Sequence, residues 1–486
     1  MKSDIIATLR HLLLSDYFHY FTVRIHYHRI MLTLIKNGTV ARASGSAEED
    51  ILIDGDRIIA TGHGLSVGNG GRVIDARGMY VLPGGVDPHV HMHLPSPAGY
   101  SSDNFLTGSR AALWGGTTTI IDFVTPMRGE PLPAALGKRM KEAESSLADY
   151  SFHVSPVDWR STTADEIREC VRMGVTSFKV YLAYKKTIGL DDGDLLRVMK
   201  AVAQAGGMVT AHCEEGDEIE SLRDSYFNGG HTSPRYHALS RPARLEAAAV
   251  KKATALAAEA GCPLYIVHVS SAESLQHIRK AHSQGQPVYA ETCPQYLLLD
   301  ERKYEGSFEQ TAAFVMSPPL RTAADNEALW AALADGTLCT VGTDHCPFTR
   351  AQKKAGKDDF RKIPGGAGGV EHRLSSLYKY GLLTKRLNFN QLVKLYSSEP
   401  ARLFGLYPRK GEIARGSDAD IVIWNPEPEN IISSATHHMN SDIDVYEGMP
   451  VKGGVEYVIR EGDIVIENGR MAGRVRPGRF LFRTID

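Results

Sequence analysis

The chain has 486 residues, 43% apolar and 23% charged, with 55 Lys and Arg against 57 Asp and Glu. A length of roughly three typical domains can bury a large core, which excludes a disordered chain or a small disulfide scaffold. A net charge of -2 offers no basic field to a nucleic-acid backbone or an anionic membrane surface, so neither is an expected partner.

Residues 1–30 show no clear periodicity. Their apolar stretch from Ile5 to Phe21 is broken by Arg10, Asp16 and two histidines, too polar for a signal peptide or a membrane span. They are expected to be an N-terminal extension, either poorly ordered or a product of start-site choice. From Met31 to Val40 and from Asp50 to Ile59, short β-branched runs punctuated by Asn-Gly and Asp-Gly read as strands joined by tight hairpins. The same vocabulary returns in Ala419–Trp424, Val455–Ile459 and Asp463–Gly469. Both ends of the chain, 31–81 and 406–470, are therefore expected to build one small β-sandwich domain, followed by a C-terminal tail at 471–486.

Between them, residues 82–405 alternate short apolar runs with longer amphipathic ones, the pattern of β-α units around a parallel sheet. Eight strands are predicted: Val81–Val86, Thr117–Val124, Tyr150–Val157, Thr176–Leu182, Met208–His212, Leu264–Val269, Pro287–Thr292 and Leu338–Thr343. Helices are expected at Ala164–Met173, Leu195–Ala205, Arg241–Ala260 and Asn326–Ala334. Eight such units make an α/β chain with a TIM (β/α)8 barrel, in which chemistry sits where strands end. Six cysteines with no Cys-x-x-Cys pair suit neither a zinc knuckle nor a secreted disulfide framework; reduced thiols in a cytoplasmic protein are the simplest reading.

The strand ends carry an unusual set of side chains. Strand one runs into His89 and His91, strand four contains Lys179, strand five ends at His212, strand six at His268 and strand eight at Asp344. His89 and His91 stand two apart, so a regular strand points both to one face. A catalytic zinc needs only three protein ligands. Four imidazoles, a carboxylate and a lysine suit two divalent metals bridged by an anion. A lysine made neutral by burial can add carbon dioxide to give a carbamate, a carboxylate on a long arm. The apolar run Thr176–Leu182 argues against an ordinary solvated Lys179, because a charged amine there would be costly without a partner.

Several long stretches occur in a telling order: Gly85-Val-Asp-Pro-His-Val-His91, Gly115-Gly-Thr-Thr-Thr-Ile-Ile-Asp-Phe123, Gly174-Val-Thr-Ser-Phe-Lys-Val-Tyr181, His237-Ala-Leu-Ser-Arg-Pro242, His268-Val-Ser-Ser271, Glu291-Thr-Cys-Pro-Gln-Tyr296, Met316-Ser-Pro-Pro-Leu-Arg321 and Gly342-Thr-Asp-His-Cys-Pro-Phe348. In these the sequence resembles the dihydropyrimidinase and hydantoinase family of cyclic amidohydrolases, within the amidohydrolase superfamily. The resemblance implies that His89, His91 and Asp344 hold one zinc ion, His212 and His268 another, and carboxylated Lys179 bridges them. It implies that Tyr184 donates to the substrate carbonyl and that main-chain atoms of Ser317 read the ring. Where the family has an asparagine, this chain has Gly365, which can supply main-chain groups from a more flexible loop. The pocket for a ring substituent is implied to include Leu94, Ser96, Tyr181 and Ile188.

The activity so implied is opening of 5,6-dihydropyrimidines or hydantoins to N-carbamoyl amino acids by a homodimer or homotetramer. Asp344 would take a proton from the attacking hydroxide and deliver it to the leaving ring nitrogen. Dihydroorotase- and allantoinase-like relatives carry arginine or asparagine two residues after the second histidine, where this chain has His93. Collapsin-response-mediator-like scaffolds lack several ligands that are all present here. The glycine run Gly365–Gly369 lacks the context of a phosphate loop and reads as a loop beside the site. His437-His438 has no evident ligand partner.

Overall fold

The computed structural model describes residues 32–484; the N-terminal extension lies outside the described residues. Eight parallel strands follow one another around a sheet in chain order: Gly85–Val90, Thr117–Val124, Asp149–Val154, Ser177–Tyr181, Met208–His212, Leu264–Ile266, Val288–Thr292 and Thr340–Val341. Val90 pairs with His345, and the His91 N–H donates to the His345 carbonyl at 2.8 Å. The last strand thereby meets the first, and the sheet closes into the TIM barrel expected from the alternating pattern.

The strands are apolar without alternation because both faces are covered; every residue of Thr117–Val124 and Ser177–Tyr181 is buried. The intervening helices start and stop where local chemistry directs. Asp191 caps Asp192–Gln204 by accepting from the Asp194 N–H, and Thr322 with Asp325 forms a capping box on Ala323–Asp335. Gly261 ends Ala243–Ala260 in the left-handed conformation that glycine takes without steric cost. At the barrel floor, buried Arg373 donates to the carbonyls of Val86 (2.8 Å) and Val341 (3.0 Å) and to Thr117 Oγ1 (3.0 Å), tying strands one, two and eight.

A second, mixed sheet of nine strands takes Thr33–Arg42, Gly45–Asp54, Arg57–Gly62, Arg72–Asp75 and Tyr80–Pro83 from the N-terminal part and Ile421–Ile431, Pro450–Arg460, Asp463–Glu467 and Arg470–Met471 from the C-terminal part. The antiparallel pairing of Tyr80–Pro83 with Ile421–Trp424 joins the two halves. Two strand expectations are corrected here. Val81–Val86 is not one barrel strand: the chain leaves the small sheet at Pro83 and enters the barrel at Gly85. At Gly84 between them, a Cβ would lie 2.2 Å from Thr118 Oγ1, so only glycine allows so close an approach. Asn37-Gly38 is not a hairpin turn but an irregularity within Thr33–Arg42, with Asn37 at φ 61°. Asp54-Gly55 and Asn468-Gly469 do sit at hairpin turns.

The segment after Met471 returns to the barrel floor. The Leu481 N–H donates to the Tyr150 carbonyl at 2.7 Å, and buried Arg483 donates to Ser177 Oγ at 2.8 Å. No helix among the described residues is long and apolar enough to cross a membrane.

Candidate active site

The mouth of the barrel gathers the side chains singled out at the strand ends. Asp344 Oδ1 lies 3.1 Å from His89 Nε2 and 3.2 Å from His91 Nε2. His212 Nδ1 lies 2.9 Å from His268 Nε2, and the rings of His89 and His268 are 5.3 Å apart. Phe123, from the end of strand two, forms a platform beneath them, 4.8 Å from the His89 ring, 4.6 Å from the His91 ring and 4.7 Å from Lys179 Nζ. Ligand atoms of His89, His268 and Asp344 all fall within 4.8 Å of one another. His268 Nδ1 is buried with no hydrogen-bond partner among the described residues, and His89 Nε2 has only the off-line Asp344 carboxylate beside it. Buried imidazole nitrogens left in that state are costly unless a cation takes them, so the donor set fits a divalent-metal centre.

Burial pushes the Lys179 amine down to about 8, against the pull of Asp344 and Glu291. Burial also opposes ionisation of Asp344, but His89 and His91 beside it hold its carboxyl well below the usual carboxylate range. For His89 burial again acts against charge, yet Glu291 and Asp344 outweigh it and push the ring up to about 9. His268 is lowered, chiefly by burial.

The backbone is strained at this place. His93, Tyr184, His268 and Asp344, at φ between 41° and 59°, are four of the eight non-glycine residues with positive φ among the described residues. Such conformations cost about 1 to 3 kcal/mol each and persist only where the surroundings impose them. Tyr184 shows how: the N–H groups of Thr187 (2.9 Å), Ile188 (3.1 Å) and Gly189 (2.9 Å) all donate to its carbonyl, curling the loop after strand four. The Tyr184 ring then faces His212 at 5.4 Å and Tyr181 at 6.3 Å.

Groups with no role assigned from sequence orient the cluster. Glu291 pairs with His89 Nδ1 and accepts from the Tyr265 hydroxyl at 2.7 Å. Glu214 accepts from His212 Nε2 at 2.9 Å and pairs with Arg241; burial works against its charge, but Arg241 and His212 hold its carboxyl at about 2. Asp87 accepts from the His89 N–H at 3.2 Å and from Thr343 Oγ1 at 2.6 Å, linking strands one and eight. Glu291 and Glu214, each on an imidazole nitrogen, fix the tautomer and ring angle of His89 and His212, whereas Asp87 holds the His89 backbone. Glu214 and Asp87 each stand two residues before or after a singled-out histidine, a spacing that could have flagged them; Glu291 lies on another strand and had no such signal.

Residues expected around a substrate fall into two groups. Ser317 and Gly365 are adjacent: Ser317 Oγ is 3.4 Å from His237 Nε2, and a Cβ on Gly365 would stand 3.7 Å from Ser317 Oγ, ordinary contact that leaves room for a side chain. Tyr181 is buried, with its ring 5.2 Å from Lys179 Nζ, whereas Ile188 and Leu94 are half-buried. Ser96 lies on a small hairpin, Pro95–Ser96 against Gly99–Tyr100, and its hydroxyl donates to the Gly99 carbonyl at 2.6 Å. His93 stacks on Tyr100 at 3.9 Å, and His438 stacks on Trp114 while pairing with Glu371.

A closed (β/α)8 barrel with His, Asp and Lys converging at its C-terminal mouth places the chain among barrel hydrolases of the amidohydrolase type. The amidohydrolase family profile matches residues 80–465. A D-hydantoinase from Geobacillus stearothermophilus is 42% identical over 93% of this chain and 97% of its own length. A D-phenylhydantoinase from Escherichia coli strain SE11 is 41% identical over 93% of this chain and 98% of its own. The crystal structure of a dihydropyrimidinase from Brevibacillus agri NCHU1002 superposes with a TM-score of 0.92 at 42% identity, covering 93% of this chain and 99% of that one. The chain belongs to the hydantoinase and dihydropyrimidinase branch of the amidohydrolase family and is a hydrolase of cyclic amides.

Proposed function

We propose that the chain opens hydantoin and 5,6-dihydropyrimidine rings to N-carbamoyl amino acids at a binuclear centre. The observation that carries this reading is the convergence of His89, His91, His212 and His268 around Asp344 and Lys179, with the buried His268 Nδ1 lacking a hydrogen-bond partner among the described residues. His89, His91 and Asp344 would hold one ion and His212 and His268 the second, with Lys179 as a carbon dioxide-derived carbamate shared by both; zinc suits these nitrogen and oxygen donors. When bound, the ions supply Lewis-acid polarisation of the ring carbonyl and a water acidic enough to attack near neutral pH.

The chain's own residues do the rest. Asp344 is ionised and accepts the proton of the attacking water on a carboxylate oxygen. As the water oxygen bonds to the ring carbonyl carbon, the Tyr184 hydroxyl donates to the developing alkoxide, a contact whose loss typically costs about 10²- to 10³-fold. The C–N bond then breaks, and Asp344 returns the proton to the departing nitrogen. Main-chain groups at Ser317 and Gly365 hold the ring edge, while Leu94, Ser96, Tyr181 and Ile188 border its substituent. At position 93, His93 stacks on Tyr100 where a dihydroorotase-like site needs a cationic fork for a substrate carboxylate. A homodimer or homotetramer in the cytoplasm accompanies this reading.

The test is metal analysis of purified protein beside a panel of dihydrouracil, hydantoin, 5-substituted hydantoins, allantoin and dihydroorotate. Close to two metals per subunit and turnover confined to the first three classes support the proposal. A metal-free scaffold, or preference for dihydroorotate, refutes it.

A further inference from the structure

Nine residues beyond Asp344 along the chain, Lys353 lies in the short helix Arg350–Lys354 with only 2% of its surface exposed. Its Nζ donates to three carbonyls, those of Val315, Pro364 and Gly366, each at 2.8 Å. An ammonium has three donors, and all are used. The three acceptors belong to two segments distant in sequence: one leads into Ser317, and the other brackets Gly365 on both sides. The Gly366 N–H also donates to the Val315 carbonyl at 3.0 Å, so the segments already touch at one point.

Burial pushes the Lys353 amine down to about 7, with no carboxylate among the described residues paired to it. An ammonium so placed is expensive, and methionine or leucine would fill the same space without that cost. A packing role therefore does not account for it. What a three-donor point charge provides is a fixed separation between two peptide segments. One of them contains consecutive glycines, whose backbone is otherwise the freest of any residue. Gly366 itself cannot be replaced to stiffen the loop, because a Cβ there would stand 2.4 Å from the Cys346 carbonyl at φ 148°.

We propose that Lys353 is a positioning residue for substrate, holding the main-chain groups of Ser317 and Gly365 at the spacing that reads the edge of a cyclic ureide or imide. The inference rests on the main-chain ring recognition given under the proposed function. Because Lys353 touches neither the histidine cluster nor the reacting atoms, its removal acts on ring binding rather than on metal content.

The experiment compares metal-loaded wild type with Lys353→Met and Lys353→Gln, the latter keeping two donors. Steady-state kinetics with dihydrouracil and a 5-substituted hydantoin are read together with metal content and amide exchange over residues 315–317 and 364–366. Lys353→Met is expected to raise KM about tenfold or more for both substrates with kcat within about threefold, the signature of lost ground-state binding. Lys353→Gln should fall between it and wild type, metal content should be unchanged, and the Gly366 amide should exchange faster in both variants. KM within about twofold of wild type in a folded, metal-replete variant overturns the proposal. So does loss of kcat or metal at unchanged KM, and so does insolubility of both variants, which would assign Lys353 to fold stability. Wild type that opens no cyclic ureide or imide would instead refute the reading of the site on which this rests.

Discussion

Single substitutions among the side chains gathered at the barrel mouth should separate chemistry from folding. Lys179 stands among Phe123, Tyr181 and the histidines with no ion-pair partner among the described residues, and burial depresses its amine to about 8. Lys179→Ala is expected to lose most bound metal and more than about 10³-fold in turnover, because the anionic bridge goes with it. Short carboxylic acids added to this variant should restore part of the activity. Full metal and full activity without them would remove the binuclear reading. Asp344→Asn keeps the side-chain volume but removes the proton acceptor. Turnover should fall at least about 10²-fold while the melting temperature stays within a few degrees of wild type. Wild-type turnover with both metals bound would show that another group carries the proton.

At the scale of elements, the loop after strand one and the turn after strand four frame the opening. Ser96 sits on the hairpin Pro95–Ser96 and Gly99–Tyr100, where its hydroxyl ties the turn and His93 stacks on Tyr100. On the proposal that Ser96 borders the ring substituent, its small side chain leaves space for a bulky group, and a hydrophobic wall discriminates by only about 1 to 3 kcal/mol per methylene. Ser96→Phe should therefore lower the ratio of 5-aryl-hydantoin to dihydrouracil turnover by about 10-fold or more, while Ser96→Ala, which loses the turn bond without adding bulk, leaves it near wild type. An unchanged ratio in Ser96→Phe would place the substituent elsewhere.

For the whole molecule, the joint between barrel and small sheet is electrostatic as well as apolar. Buried Lys410 donates to Asp149 at 2.5 Å, where barrel strand three begins, and to Asp420 at 2.7 Å beside the small sheet, with Asp418 at 3.0 Å. The carboxylates raise the Lys410 ammonium above its ordinary value against burial, so its contribution is fully present below the unfolded lysine value near 10.4 and fades only at more alkaline pH. For Asp149, burial opposes the charge, but Lys410 and Arg460 hold the carboxyl low. Its stabilisation is present above the unfolded value near 3.9 and is lost on acidification through the folded one. Lys410→Met removes the cation these three carboxylates share, leaving Arg460 on Asp149 and Arg57 and Arg479 on Asp418, and should cost about 3 kcal/mol at pH 8. Their folded values then rise, so protonation relieves the strain, and the deficit relative to wild type should shrink between pH 8 and pH 5 in thermal unfolding. A deficit independent of pH would show that Lys410 matters for packing alone.

The alternation of buried strands and amphipathic helices follows from local periodicity, which is why the barrel, four of its helices and the return of the chain's end to the small sheet were legible in the residues alone. The six ligand-type side chains were legible for a related reason: strand ends in a barrel all face one mouth, so placing the strands places the residues. Pairings set across the fold were not legible. The break at Gly84 depends on Thr118 standing 2.2 Å from where a Cβ would be, and Asn37-Gly38 has the composition of a hairpin turn although the ladder carries it as an irregularity within one strand. Glu291 behind His89, Arg241 behind Glu214 and Lys353 between two distant loops are each brought to their partners by segments far away in the chain. Local sequence carries propensity and period. Which buried charge meets which acceptor is decided only when the barrel closes, because desolvation makes an unpaired group untenable there and packing leaves one place for each.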